Sequence, residues 1–416
     1  MGRKMPDTSI LWFQLTFLLV IAVLSHFVFT RFKQPLVIGE IIIGIIIGPS
    51  VVGALTGYEL VNTEMISVFA QLGAIVLLFM IGLESDLRRI YTKRNFSIAL
   101  GGVLLPWVAG YFVAVVMVPS VNTAQAIFIG ATMVATSVSV TAAVLMEMGM
   151  ISDEVGCAIL GAAVVDDILG MMVLGVAGGF ALGGIDYAQI IYLVAAAIVF
   201  IVVGIFVGTR YLSRIVCLAE KEGKERGLEH TGFVLAFAFA LLFAYISEVI
   251  GISAIVGAFL AGTIFSSSVI KSEAQAGTKY LGAIFVPIFF ISMGVLFDIN
   301  GLSELFLFAI VLTILAILTK VIGCGVPARS LGMSGRDALA VGIGMAPRLE
   351  VALIIALYGL QTGIIGQGLY SVVVFMGIVT ALVTPFLFKL ALGKGRKPKP
   401  AEKCGAIDNE EKVCQG

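Results

Sequence analysis

Apolar residues in this chain gather into long runs, without the strict alternation of strands or the single stripe of a surface helix. A run of about 17 to 25 apolar residues is what a helix needs to cross the hydrocarbon core of a bilayer. On that criterion the chain predicts spans near 9–30, 35–52, 66–83, 97–118, 124–146, 155–178, 188–209, 231–249, 252–267, 280–296, 303–325, 337–359 and 368–393, thirteen in all. The first lacks an A-x-A type site after a short apolar core, so it is read as a retained span rather than a cleaved signal. The pattern breaks most sharply at "RYLSRIVCLAEKEGKERGLEH", residues 210–230, whose charges predict a solvated surface helix.

Composition sharpens the picture. Hydrophobic residues make up 60% of the 416 and charged residues only 12%, with a mean hydropathy of +1.10, which excludes a soluble globular chain. Acids and bases balance, 26 against 26, so net charge gives no reason to expect a nucleic-acid partner. Basic residues are distributed very unevenly. With loops sorted alternately, those after spans 1, 3, 7, 9 and 11 share one side with the tail "KGRKPKP" and carry nearly all the Lys and Arg, whereas the other side has only Arg3 and Lys4. The positive-inside rule therefore predicts an outside N-terminus and a cytoplasmic C-terminus in a multi-pass cell-membrane protein, as an odd span count requires. Cys404 and Cys414 fall in the tail, and no disulfide, metal or other cofactor is expected.

Against this background the interior charges stand out. Away from the span ends, five ionisable residues lie at membrane depth: Asp166, Asp167, Lys320, Arg348 and Glu350. His26, in the first span, is read as a packed residue. Charges inside a bilayer must pair with one another or face water. If all five ionise, three acids against two bases leave one negative charge, room for one monovalent cation or one proton. From a rise of 1.5 Å per residue, Asp167, Thr136 and Arg348 each lie roughly 16 to 18 Å from the start of their spans, near mid-membrane.

An internal repeat predicts how these residues meet. "IIIGIIIGP" from Ile41 resembles "AIVGAFLAG" from Ala254, "LGAI" at 72–75 recurs at 281–284, and "AIFIGATMVATSV" from Ala126 overlies "ALAVGIGMAPRLE" from Ala338. Spans 2 to 6 thus match spans 9 to 13. A separation of seven spans turns the second copy upside down, the inverted five-helix plan of many secondary transporters. Such folds build their sites from helices broken near the midplane. Span 5 carries "ATSVSVT" at 135–141, hydroxyls able to satisfy freed backbone groups. Span 12 carries "GIGMAPRLE" at 342–350, where Pro347 removes a helical hydrogen bond.

The adjacent aspartates of "VVDDILG", the "ATSVSVT" stretch, the lysine of "LTKVIGCGVPAR" and "GMAPRLEVALI", in this order, resemble the monovalent cation:proton antiporter superfamily. Within it they resemble the second branch, whose sodium/proton members carry the Asp-Asp pair. Its last motif is ordinarily Pro-Arg-Gly-Glu; here Leu349 stands where the glycine would, which bears on the backbone of the second break. The resemblance implies an all-α polytopic membrane protein of thirteen transmembrane helices, with two inverted five-helix repeats and crossed broken helices. It implies core spans 4–6 (97–178) and 11–13 (303–393) moving against scaffold and dimer spans 1–3 (1–96) and 8–10 (231–302), with a linker at 179–230 and a cytoplasmic tail at 394–416.

The roles implied by the resemblance fall on named residues. Asp167 binds cation and proton alternately and is the monovalent-cation ligand. Asp166 pairs with Lys320. Thr136, Ser137 and Ser139 line the cation site, while Arg348 and Glu350 neutralise broken-helix ends or hold the two copies together. The implied activity is exchange of a monovalent cation, sodium first, for protons across the membrane, by a homodimer in contact with lipid and with no enzymatic step. A potassium/proton antiporter or efflux system is the alternative within the superfamily, though the short tail leaves no room for the nucleotide-binding domain such systems carry. An intramembrane aspartic protease is the remote alternative. It needs two aspartates facing each other from different helices, whereas Asp166 and Asp167 are neighbours on one.

Overall fold

The computed structural model describes residues 7–32, 36–53, 63–84, 92–118, 121–182, 187–251, 254–295, 302 and 305–392. Among them, the elements are α1 (Asp7–Arg31), α2 (Leu36–Ile47), α3 (Thr63–Glu84), α4 (Lys93–Met117), α5 (Thr123–Thr132), α6 (Val138–Glu147), α7 (Glu154–Leu182) and α8 (Tyr187–Val207). They continue with α9 (Ser213–Glu225), α10 (Thr231–Ile250), α11 (Ala254–Phe265), α12 (Lys271–Val295), α13 (Phe306–Ser330), α14 (Gly335–Gly344), α15 (Glu350–Gln361) and α16 (Gln367–Leu392). Among the described residues ten helical segments are long and apolar enough to cross a membrane. The remaining apolar helices are the short α11 and the half-helices α5, α6, α14 and α15.

The helices differ in how completely the protein surrounds them. In the most apolar stretch of α7, 71% of residues are buried, and in α16 67%, against 22% for α1, so α7 and α16 are central and α1 is peripheral. The outward face of α1 presents Trp12, Phe13, Phe27 and Leu24, side chains that hydrocarbon or another apolar surface can cover. Residues 213–225 form the helix predicted from the charge run, though one face is packed rather than solvated, with Val216, Glu220 and Gly223 buried; a π-helical turn at Gly208–Leu212 joins it to α8.

The crossings obey the repeat. α2 crosses α12 where Gly44 meets Gly294; a Cβ at Gly44 would fall 2.1 Å from the Ile291 carbonyl oxygen. Exchanging the halves turns this into a crossing of α11 with α3, and there Gly262 meets Gly82, a Cβ at Gly262 falling 2.3 Å from the Phe79 carbonyl. The third crossing, α4 on α13, maps onto itself, with Gly101 against Gly323. Without a hydrophobic drive between helices in lipid, such close backbone approach supplies the van der Waals contact that holds them.

Two expectations change. Cys157 and Cys324 are buried free thiols, but Cys217 is disulfide-bonded, against the expectation of none. His26 is more than a packed residue, since its Nε2 lies 2.6 Å from Oε1 of the buried Glu40 on α2. Glu40, near the start of its helix, is thus a further interior acid. Cys404 and Cys414 lie outside the described residues.

Candidate functional site

Spans 5 and 12 are both interrupted, at matching places. α5 begins with a capping box, Asn122 and Gln125 each accepting from the other's backbone N–H, and ends at Thr132. Helix resumes only at Val138, after Ser137 in extended conformation. α14 is likewise capped at its start, by Ser334, and ends at Gly344; α15 begins at Glu350. Pro347 explains the second stop, because it has no N–H to give and its ring clashes with the preceding turn.

The two interruptions cross. Ser137 N donates to the Pro347 carbonyl at 2.7 Å, and the Thr136 hydroxyl donates to the Met345 carbonyl at 3.3 Å. In return the Arg348 guanidinium donates to the Ala135 carbonyl at 3.0 Å and to the Ala316 carbonyl on α13 at 3.2 Å. Arg348 has no solvent exposure, so these carbonyls take the place of water around its charge. Ser137 and Ser139 hydroxyls lie 3.3 Å apart at the start of α6. The crossing therefore gathers hydroxyls, the carbonyl ends of two half-helices and one fixed positive charge.

Beside it stands the buried ion pair. Lys320 Nζ on α13 donates to Asp166 Oδ1 on α7 at 2.6 Å, and neither side chain has any exposure. The glycine at 102 keeps α4 clear of this pair, since a Cβ there would lie 3.3 Å from Lys320 Nζ and 2.4 Å from Cys324 Sγ. Asp167, next on α7, is 4% exposed. Successive helical residues point about 100° apart, so its carboxylate leaves α7 in another direction from that of Asp166. Glu350 opens α15, and its side chain lies outside the described residues.

Leu349 fits its place without strain. The only described non-glycine residue with positive φ is His230, so position 349 does not require the glycine of the usual motif. Room comes from α16, where a Cβ at Gly377 would fall 2.6 Å from the Arg348 carbonyl oxygen and 3.5 Å from Leu349 Cδ1.

Two further hydroxyls serve the second break, one inside the hydroxyl-rich stretch of the first and one that sequence reasoning missed. Thr141 donates to the Gly344 carbonyl at 2.5 Å, and Thr380 on α16 accepts from the Arg348 N–H at 3.0 Å. Thr141 belongs to the hydroxyl-rich stretch that marks the first break, so a signal existed for it. Thr380 sits alone in an apolar run and gives none.

Comparison with known proteins agrees with this architecture. Residues 16–393 match the family model described as the transmembrane sodium/hydrogen exchanger. The chain is 34% identical over 395 residues to the Na(+)/H(+)-K(+) antiporter GerN of Bacillus cereus, covering 94% of this chain and 99% of that protein. It is 34% identical over 379 residues to a Na(+)/H(+) antiporter of Enterococcus hirae, 90% of this chain and 96% of that one. The fold is similar to that of the sodium proton antiporter MjNhaP1 from Methanocaldococcus jannaschii, with a TM-score of 0.65 at 17% identity, covering 91% of this chain and 97% of that chain.

Proposed function

The chain belongs to the sodium/hydrogen exchanger family, and from that premise we infer that it is a secondary transporter exchanging a monovalent cation, sodium first, for protons. The observation that carries this reading is the fully buried Lys320–Asp166 pair with Asp167 beside it, next to two crossed helix breaks. Lys320 compensates Asp166. Asp167 is then the carboxylate that trades its proton for a cation, and Thr136, Ser137 and Ser139 offer oxygens near the break. Arg348 and Glu350 act on the broken-helix ends, not as cation ligands. Counting each pair of half-helices as one crossing, the chain passes thirteen times, with its N-terminus outside and its C-terminus in the cytoplasm, following the basic loops.

In this reading spans 4–6 and 11–13 form the moving core. Spans 1–3 and 8–10 form the scaffold, residues 179–230 the link between the halves, and the exposed apolar flank of the scaffold a homodimer contact. Alternating access carries the site from one face to the other. Potassium is the second cation to consider, because the similar Bacillus cereus protein is named for Na(+)/H(+) and K(+) together. The deciding experiment is purified protein in liposomes with an internal pH dye, challenged in turn with sodium, lithium and potassium. Sodium-driven proton movement is expected; none with any of the three would end the reading.

A further inference from the structure

Among the helical hydrogen bonds that the second break severs, one has both of its halves on side-chain hydroxyls from other helices. In an unbroken helix the N–H of residue 348 would donate to the carbonyl of residue 344. Here the Gly344 carbonyl accepts instead from the Thr141 hydroxyl of α6, at 2.5 Å, and the Arg348 N–H donates instead to the Thr380 hydroxyl of α16, at 3.0 Å. Thr380 passes its own proton to the Gly377 carbonyl at 2.9 Å, and so its oxygen is turned towards Arg348. Both threonines are buried, at 4% and 0% exposure. Pro347 stops the helix, but it does not choose these partners: the N–H of residue 348 and the carbonyl of residue 344 are still present and must be satisfied elsewhere.

We propose that Thr141 and Thr380 are a pair of positioning residues that hold the second break open by each occupying one end of the severed 344–348 hydrogen bond. They thereby fix the backbone from which Arg348 reaches the Ala135 carbonyl at the first break. The inference rests on the proposed exchange function for its transport consequence, but not for its structural one. Threonine suits both places because its hydroxyl can donate to Gly344 or accept from Arg348, while its methyl packs in the apolar core. Valine keeps the shape and loses the hydroxyl.

The test is a double-mutant cycle on Thr141→Val and Thr380→Val, with Thr141→Ser and Thr380→Ser as conservative controls. Each valine variant strands one buried backbone group. With both hydroxyls gone, the Gly344 carbonyl and Arg348 N–H can pair with each other. The fall in melting temperature of the double variant should therefore be smaller than the sum of the single falls, whereas cation exchange should be hurt most in the double variant. Each single valine variant should raise the half-saturating cation concentration about three- to tenfold, the scale of one lost hydrogen bond. The serine variants should restore it. Additive melting losses overturn the proposal, and so do valine variants that keep the wild-type half-saturating concentration while only their melting temperature drops. If the wild-type protein itself exchanges no cation, the functional reading falls, and the melting cycle still decides the hydrogen-bond exchange.

Discussion

Helix α7 carries an ion pair at its start and another at its middle. At the start Glu154 meets Arg94 of α4 at 2.8 Å, with side-chain exposures of 36% and 28%. Three turns on, Asp166 meets Lys320 at 2.6 Å with no exposure on either side. Distance hardly distinguishes them, but dielectric does. Water screens the first pair, which contributes little beyond the entropy it costs. The second carries a desolvation cost that mutual attraction only partly offsets, so it is poor evidence of stabilisation for its own sake. A chain that keeps such a pair beside a second buried carboxylate has a use for charge at that depth.

The largest expected effect falls on that second carboxylate. Asp167→Asn keeps the shape and removes the titratable charge, so it should abolish cation-driven proton movement in liposomes while the protein still inserts and folds. Wild-type exchange by this variant would remove Asp167 from the mechanism and with it the contrast between the two places on α7.

Next comes the buried pair. Lys320→Ala leaves Asp166 uncompensated in the core and should cost about 3 to 5 kcal/mol of stability. Adding Asp166→Asn should recover part of that loss, measured as unfolding of the purified variants. Losses that simply add would mean that the two charges do not interact.

A third, smaller effect is graded. If one carboxylate must release its proton before it holds a cation, the two ligands compete. On the acidic limb each pH unit should then raise the half-saturating cation concentration about tenfold, since one pH unit corresponds to about 1.36 kcal/mol. Maximal rate at saturating cation should change far less, because excess cation displaces the proton. Initial rates at several symmetric pH values decide it. A flat half-saturating concentration with a collapsing maximal rate would point to a separate pH-sensing group.

Much of this contrast could be read from the chain before folding, for a physical reason. Bilayer thickness imposes a length on apolar runs, and breaking a helix needs a proline or spare hydroxyls, so spans and breaks leave local marks such as Pro347 and "ATSVSVT". Helix ends outside the apolar layer leave weaker ones. α12 begins at Lys271, nine residues before the predicted span, because its first turns carry Lys271, Glu273 and Lys279, which hydropathy counts as loop. Partnerships across the fold leave none. Thr380 grips Arg348 from 32 residues away and Thr141 grips Gly344 from 203 away, contacts that only tertiary packing creates. The joining of Asp166 to Lys320 came from family resemblance, since nothing in spacing alone pairs residues 154 apart. Glu40 gives no signal because an acid close to the start of an apolar run looks solvated, yet packing of α1 on α2 buries it against His26.

The smallest expected effect belongs to the pair at the start of α7, and it tests the comparison most directly. Arg94→Ala and Glu154→Gln remove charges of the same kinds as Lys320 and Asp166, in a pair whose acid lies on the same helix α7 and whose separation is nearly the same. If burial sets the energy, each should cost only about 0.2 to 1 kcal/mol, fading in high salt as screened surface charges do. Neither should change the half-saturating cation concentration, because no site hydroxyl or carboxylate touches them in the described contacts. The measurement is unfolding of each variant at low and high ionic strength beside Lys320→Ala under the same conditions. Losses at Arg94 as large as those at Lys320, and insensitive to salt, would mean that this end of α7 is as dry as its middle, and that depth along the helix is not what separates the two pairs.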